Sequence, residues 1–115
     1  MTRRVEKPWG HEEIWAETDR YIGKILFINA GYRLSLQHHK KKDETIRVLC
    51  GEMKLELENE SGIIELKRLF PGDSVRIPAG KKHRMSAETD VQLLEVSTPE
   101  LDDVVRHEDD YGRSD

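Results

Sequence analysis

Apolar and polar residues alternate with period two through the middle of the chain. The clearest case is "EMKLELENESG" (52–62), where Met53, Leu55 and Leu57 face one way and Lys54, Glu56 and Glu58 the other. That is the period of a strand with one buried and one wet face. "YIGKILFINAG" (21–31), "SVRIP" (74–78) and "VQLLEVS" (91–97) are further strand signals. "ENESG" predicts a hairpin turn with the short run "IIEL" as its return, and "PGD" (71–73) and "PAG" (78–80) predict two more turns. No segment before residue 99 keeps a helical period through three turns. Many short strands punctuated by Gly and Pro predict an all-β sandwich or barrel. An N-terminal arm over about 1–20, with two tryptophans, is expected to pack at an edge. The acidic segment over about 99–115 is expected to form a short helix or an ordered tail.

Composition narrows this picture. A chain of 115 residues suits a single domain with one core. Charged residues are 37% and apolar ones 36%, but the apolar positions are patterned, which argues against disorder. A net charge of −4 offers no general attraction to nucleic acid or anionic membrane. No apolar run approaches a membrane span, and "MTRRVEKPWG" has no apolar stretch behind its basic residues. A cytoplasmic protein is expected. Cys50 is the only cysteine, which excludes an internal disulfide, and it is expected to be a small core residue. Trp9 and Trp15 are expected to pack rather than to stack on a sugar.

The candidate chemistry lies in "GYRLSLQHHKKKDETIRVLCG" (31–51). On an extended strand Gly31, Arg33, Ser35, Gln37 and His39 share one face, and Tyr32, Leu34, Leu36 and His38 the other. An antiparallel return after Lys40–Lys42 would bring Glu44 beside Gln37 and His39. Imidazole, amide and carboxylate donors then converge, a mixture suited to Zn²⁺, Mn²⁺, Fe²⁺ or Co²⁺. His83, just after the turn at "PAG", offers a fourth ligand. The lysine run alone reads as a solvated turn.

The spacings carry a resemblance. Five residues separate Gly31 from Gln37, one separates Gln37 from His39, four separate His39 from Glu44, and six separate Glu44 from Gly51. In a second block, five residues separate Gly72 from Pro78, one separates Pro78 from Gly80, and two separate Gly80 from His83. These resemble the two sequence blocks of the cupin superfamily, which implies a double-stranded β-helix, or jelly-roll barrel. "LSLQHHKKKDE" is similar to the cupin domain of type II mannose-6-phosphate isomerases, where Gln takes the place of the first His ligand. "KPWG" (7–10), Lys24, "IPAGKKHR" (77–84), "LEVS" (94–97) and "DDVVRHEDDYGR" (102–113) extend the match over nearly the whole chain. Departures are Thr45-Ile46 for the family's His-Trp, Lys42 for Arg, Ala87 for the superfamily's Asn, and "EVS" for Glu-Val-Gln.

The resemblance implies a metal-dependent sugar-phosphate isomerase in carbohydrate metabolism, with one divalent ion, zinc first, on Gln37, His39, Glu44 and His83; Mn, Fe, Co and Ni are the other ions considered. No nucleotidyl transfer is expected, because the guanylyltransferase domain of the bifunctional members does not precede this segment. Glu95 shares a strand face with Val91 and Leu93 and is the candidate base. Its bland alternative is a buried partner for Lys24 or an arginine. Lys24, Arg33 and Arg84 are the candidate cations for a substrate phosphate, Lys24 and Arg84 also for catalysis. The alternatives are a non-catalytic metal- and sugar-binding cupin and a different small metalloenzyme, such as an Fe-dependent oxygenase. A homodimer formed partly through the arm around Trp9–Trp15 is expected.

Overall fold

A computed structural model describes residues 2–113 as eleven strands and no helix. In chain order they are β1 (Arg3–Lys7), β2 (Gly10–Glu17), β3 (Ile22–Ile28), β4 (Leu36–His38), β5 (Glu44–Cys50), β6 (Met53–Glu58), β7 (Ile64–Leu69), β8 (Ser74–Ile77), β9 (His83–Ala87), β10 (Val91–Ser97) and β11 (Val105–Glu108). They form two antiparallel sheets. The first has six strands in the order β1-β2-β3-β10-β5-β8, and the second has five in the order β11-β4-β9-β6-β7. The all-β sandwich expected from the alternating pattern, and the jelly roll implied by the cupin resemblance, are the fold observed.

The inner faces enclose one cluster. Ile46, Val48, Leu26, Leu93 and Ile77 of the first sheet meet Met53, Leu55, Met85 and Leu69 of the second. Alternation explains each contribution, since every one of these residues lies two positions from its inward neighbours. Trp9 is buried against the same cluster at the β1–β2 turn. Trp15 lies on the outer face, 46% exposed. Its ring covers Gly23, where an added Cβ would come within 2.7 Å of the indole.

The structure sharpens some expectations and overturns others. The N-terminal arm is a hairpin, and its β2 lies inside the sheet against β3. Of the two forms expected for the C-terminal segment, the ordered tail is observed, and it makes β11, paired with β4. Cys50 is exposed, because β5 turns away from the core at its end. The segment Gln37–Glu44 is not a hairpin. Its strands β4 and β5 enter different sheets, so Glu44 faces His39 across the sandwich. The strand-parity argument also fails before Leu36. Leu34 packs in the core while Arg33 points out, since the chain there is irregular and makes only an isolated bridge from Arg33 to Ser86.

Candidate metal centre and its cavity

His83 heads β9 opposite Gln37 on β4, so the ladder sets their side chains side by side. His39 follows β4, and Glu44 opens β5 in the facing sheet. One ligand atom from each of His39, Glu44 and His83 lies within 4.8 Å of the others, and all three residues are buried. Glu44 Oε1 is 3.5 Å from His39 Nε2 and 3.3 Å from His83 Nε2.

The hydrogen bonds on the far sides of the rings define the chemistry. His39 Nδ1 bonds the Asp103 carbonyl, and His83 Nδ1 bonds the Lys81 carbonyl at 3.0 Å. A carbonyl can only accept, so each Nδ1 carries the proton and each Nε2 presents a lone pair in the neutral ring. Both Nε2 atoms are buried without a hydrogen-bond partner, and both face a carboxylate oxygen. Two lone pairs aimed at an anion repel unless a cation sits among them. Backbone carbonyls that fix the ring tautomer in this way are the usual support of metal-binding imidazoles. The donor set fits a divalent metal ion. Gln37 lines the same cavity, and its Oε1 accepts from Ser35 Oγ at 2.6 Å with a second lone pair remaining.

A carboxylate and an ammonium adjoin the three donors. Lys42 Nζ lies 3.2 Å from Glu44 Oε2 and 3.1 Å from Glu95 Oε2. All three side chains are buried. Burial works against the Lys42 charge, yet the two carboxylates outweigh it and raise its pKa. The carboxylates compete for one ammonium, and their outcomes differ. Burial opposes ionisation of Glu44, yet the adjacent Lys42 ammonium helps to hold it well below the usual carboxylate range. Glu95 is pushed up to about 7, first by burial and then by the neighbouring Glu44 charge. The expected bland partner for Glu95 was Lys24 or an arginine; its ion pair is with Lys42.

The candidate cations separate. Lys24 lines the cavity, opposite Glu95 on the β3–β10 ladder, and pairs with Glu12 at 3.2 Å. Arg33 and Arg84 do not line it. Arg33 points outward to Asp110, 2.6 Å away, and Arg84 donates to the backbone carbonyls of Leu34 and Glu108. Arg84 has the opposite parity to His83 and Met85 on β9, so it faces the outer surface, where the C-terminal segment covers it. The lysine run is likewise not all turn: Lys40 and Lys41 are exposed, but Lys42 is buried.

Five charged lining residues carried no candidate role in the sequence: Lys7, Glu12, Lys42, Arg106 and Arg113. Lys42 lies two residues ahead of Glu44, just before β5 begins, and is buried beside it. Lys7 lies in the "KPWG" segment, and Arg106 and Arg113 in "DDVVRHEDDYGR". Only the tertiary fold lays both segments over the cavity. Asp103 anchors the second one by accepting from the backbone N–H groups of Lys40, Lys41 and Lys42.

This fold and this centre are those of a cupin, and solved structures agree. KdgF from Halomonas sp. superposes with a TM-score of 0.75, 25% identity, and coverage of 89% of this chain and 88% of that one. Oxalate decarboxylase from Bacillus subtilis superposes at 0.81 over 92% of this chain and 30% of its own, with 16% identity that speaks for the fold alone. The chain belongs to the mannose-6-phosphate isomerase C-terminal family, which matches residues 1–109. Mannose-1-phosphate guanylyltransferase ManC of Salmonella typhimurium is 34% identical over 98% of this chain, and the Escherichia coli K12 mannose-1-phosphate guanylyltransferase 34% over 96%. Xanthan biosynthesis protein XanB of Xanthomonas campestris is 31% identical over 97%. The chain spans about a quarter of the length of these curated relatives.

Proposed function

We propose that this chain is a metal-dependent sugar-phosphate isomerase acting on mannose 6-phosphate. The observation that carries the reading is Glu95, a buried carboxyl group that opens into the same cavity as His39, Glu44 and Gln37. Aldose–ketose exchange moves a proton from C2 of the open-chain sugar to C1, while a hydroxyl proton moves from O2 to O1. A group pushed up to about 7 is poised to take and return such a proton near neutral pH. Lys42 stands 3.1 Å from the same carboxylate and keeps it aimed. A divalent ion on His39, Glu44, His83 and Gln37, two nitrogen and two oxygen donors compatible with zinc, would supply Lewis-acid polarisation of the sugar oxygens when bound. The family and the names of the curated relatives support a mannose phosphate as the substrate class.

The test is a coupled assay for fructose 6-phosphate with zinc-, manganese- or cobalt-loaded protein and mannose 6-phosphate. Metal-dependent turnover is the expected result. Metal-loaded protein that shows no turnover with mannose 6-phosphate would overturn the isomerase. A second reading, a non-catalytic metal- and sugar-binding cupin, is favoured by Thr45-Ile46, which stand beside Glu44 where the resembled family has His-Trp. Saturable calorimetric binding without turnover would select it.

A further inference from the structure

The chain carries −4 overall, yet its cavity is lined by five cations, Lys7, Lys24, Lys42, Arg106 and Arg113, against three carboxylates, Glu12, Glu44 and Glu95. The cations fall into two groups. Lys42 belongs to the metal end, between Glu44 and Glu95. The others gather where the N-terminal hairpin meets the C-terminal segment. Lys24 has Glu12 as its partner, and Arg113 is forked by Asp109 at 2.8 Å. The Lys7 side chain makes no ion pair or hydrogen bond among the described residues. It is half-buried, and it stands in the field of Lys24, Arg113 and Arg106. Burial and those three positive neighbours depress its pKa, against the pull of Glu12. The carboxylate that pulls on Lys7, Glu12, is already paired with Lys24. Focusing of like charge in a low-dielectric cleft raises the local concentration of an anion.

From this cluster we infer a phosphate seat, with the Lys7 ammonium at its centre and Arg113 and Arg106 beside it. A phosphate dianion offers several acceptor oxygens to converging charged donors. Lys7, Glu12, Lys24 and Leu101 also line an adjoining groove with Arg3 and Asp102, so the seat lies at the mouth of the cavity. A ligand whose phosphate rests there directs its other end toward Gln37, His39 and Glu95. The occupant proposed is the phosphate group of a phosphomonoester. Only this choice of natural occupant rests on the isomerase reading; the seat itself is an anion site that needs no turnover. It also replaces Arg33 and Arg84 with residues from both ends of the chain.

The test is calorimetric titration of the full chain with inorganic phosphate, with mannose 6-phosphate and with mannose, before and after chelation. Inorganic phosphate binds with or without metal, and Lys7→Gln weakens it at least about tenfold, the loss of one charge-assisted contact. Lys7→Arg retains most of the affinity, and Arg113→Gln weakens it in the same direction. Lys54→Gln, on the outer face, changes nothing. Mannose binding is insensitive to Lys7→Gln. Phosphate affinity unchanged in folded Lys7→Gln protein overturns the seat, as does phosphate binding that vanishes on chelation. Should Lys7→Gln not fold, undiminished affinity in Arg113→Gln does the same. Turnover with a KM for mannose 6-phosphate that is unchanged in Lys7→Gln removes the seat and leaves the isomerase. Lys7-dependent phosphate binding without any turnover removes the isomerase and leaves the seat.

Discussion

Glu44 Oε1 and His83 Nε2 lie 3.3 Å apart although the two residues come from facing sheets. A single ion held between them would therefore clamp the two layers of the sandwich. Such an ion binds only the folded chain and stabilises it in proportion to its affinity. Removing metal with a chelator is expected to lower the melting temperature by about 10 °C, from a stabilisation of about 2.7 kcal/mol at a hundredfold excess over Kd. His39→Ala/His83→Ala is expected to carry no stoichiometric metal by elemental analysis and to show no chelator effect. Stoichiometric metal in that double variant would sink the centre.

Lys42 separates two buried carboxylates, 3.2 Å from one and 3.1 Å from the other. Lys42→Met leaves Glu44 and Glu95 facing each other without a counter-charge. Loss of one partner from a buried ionic cluster costs about 3–5 kcal/mol. Urea denaturation of metal-free protein measures it, and a loss below about 1 kcal/mol would show that the cluster is hydrated and not dry.

Glu95→Gln keeps the shape of the cavity and removes the base. Substrate binding is expected to survive, with turnover slowed at least about a hundredfold. Equal kcat in the variant would assign the proton transfer elsewhere.

Asp103 holds the C-terminal segment through three backbone N–H groups, and its pKa falls to about 2 from 3.8, because those bonds together outweigh the burial that opposes ionisation. A carboxyl with a lowered folded value holds fewer protons folded than unfolded between those two values. Stability is therefore full above about pH 4 and is lost as pH falls toward 2. Asp103→Asn should flatten that part of the stability curve. Denaturation midpoints at pH 2.5, 4 and 6 (about the edges of the window) test it; an unchanged slope would contradict the role of Asp103.

The outer face of the six-stranded sheet carries Trp15, Val96 and Leu49, each more than two-fifths exposed. Alternation normally makes such a face polar. Trp9, by contrast, is buried in the core and cannot serve an interface. A homodimer is expected to use the Trp15 side of the hairpin against a second copy. Sedimentation at micromolar concentration should give about twice 13.4 kDa, and Trp15→Glu should give the monomer. A wild-type monomer would end this expectation.

Particular residues show how far the sequence could be read. Met53, Leu55 and Leu57 announce a strand by alternation alone, because side-chain direction in a strand depends only on parity. His39, Glu44 and His83 could be paired by their spacing, and they do converge. Arg33 was misplaced for a physical reason: parity holds only where a strand exists, and the strand starts at Leu36. Arg84 shares a strand with His83 but has the opposite parity.

Local period and turn chemistry thus determined an all-β chain and its strand faces, while the ligand-bearing blocks showed in their spacing and its resemblance to the cupin motifs. Which strands share a sheet is a long-range choice. It is made by burying Ile46, Leu93, Met53 and Leu55 together, not by any short segment. That choice put β4 and β5 in opposite layers and turned an expected hairpin into a donor set that spans the sandwich. It also laid residues 7 and 113, from opposite ends of the chain, at one cavity mouth. Charge adjacency of that kind leaves no trace in sequence spacing, because it exists only after the apolar faces have closed.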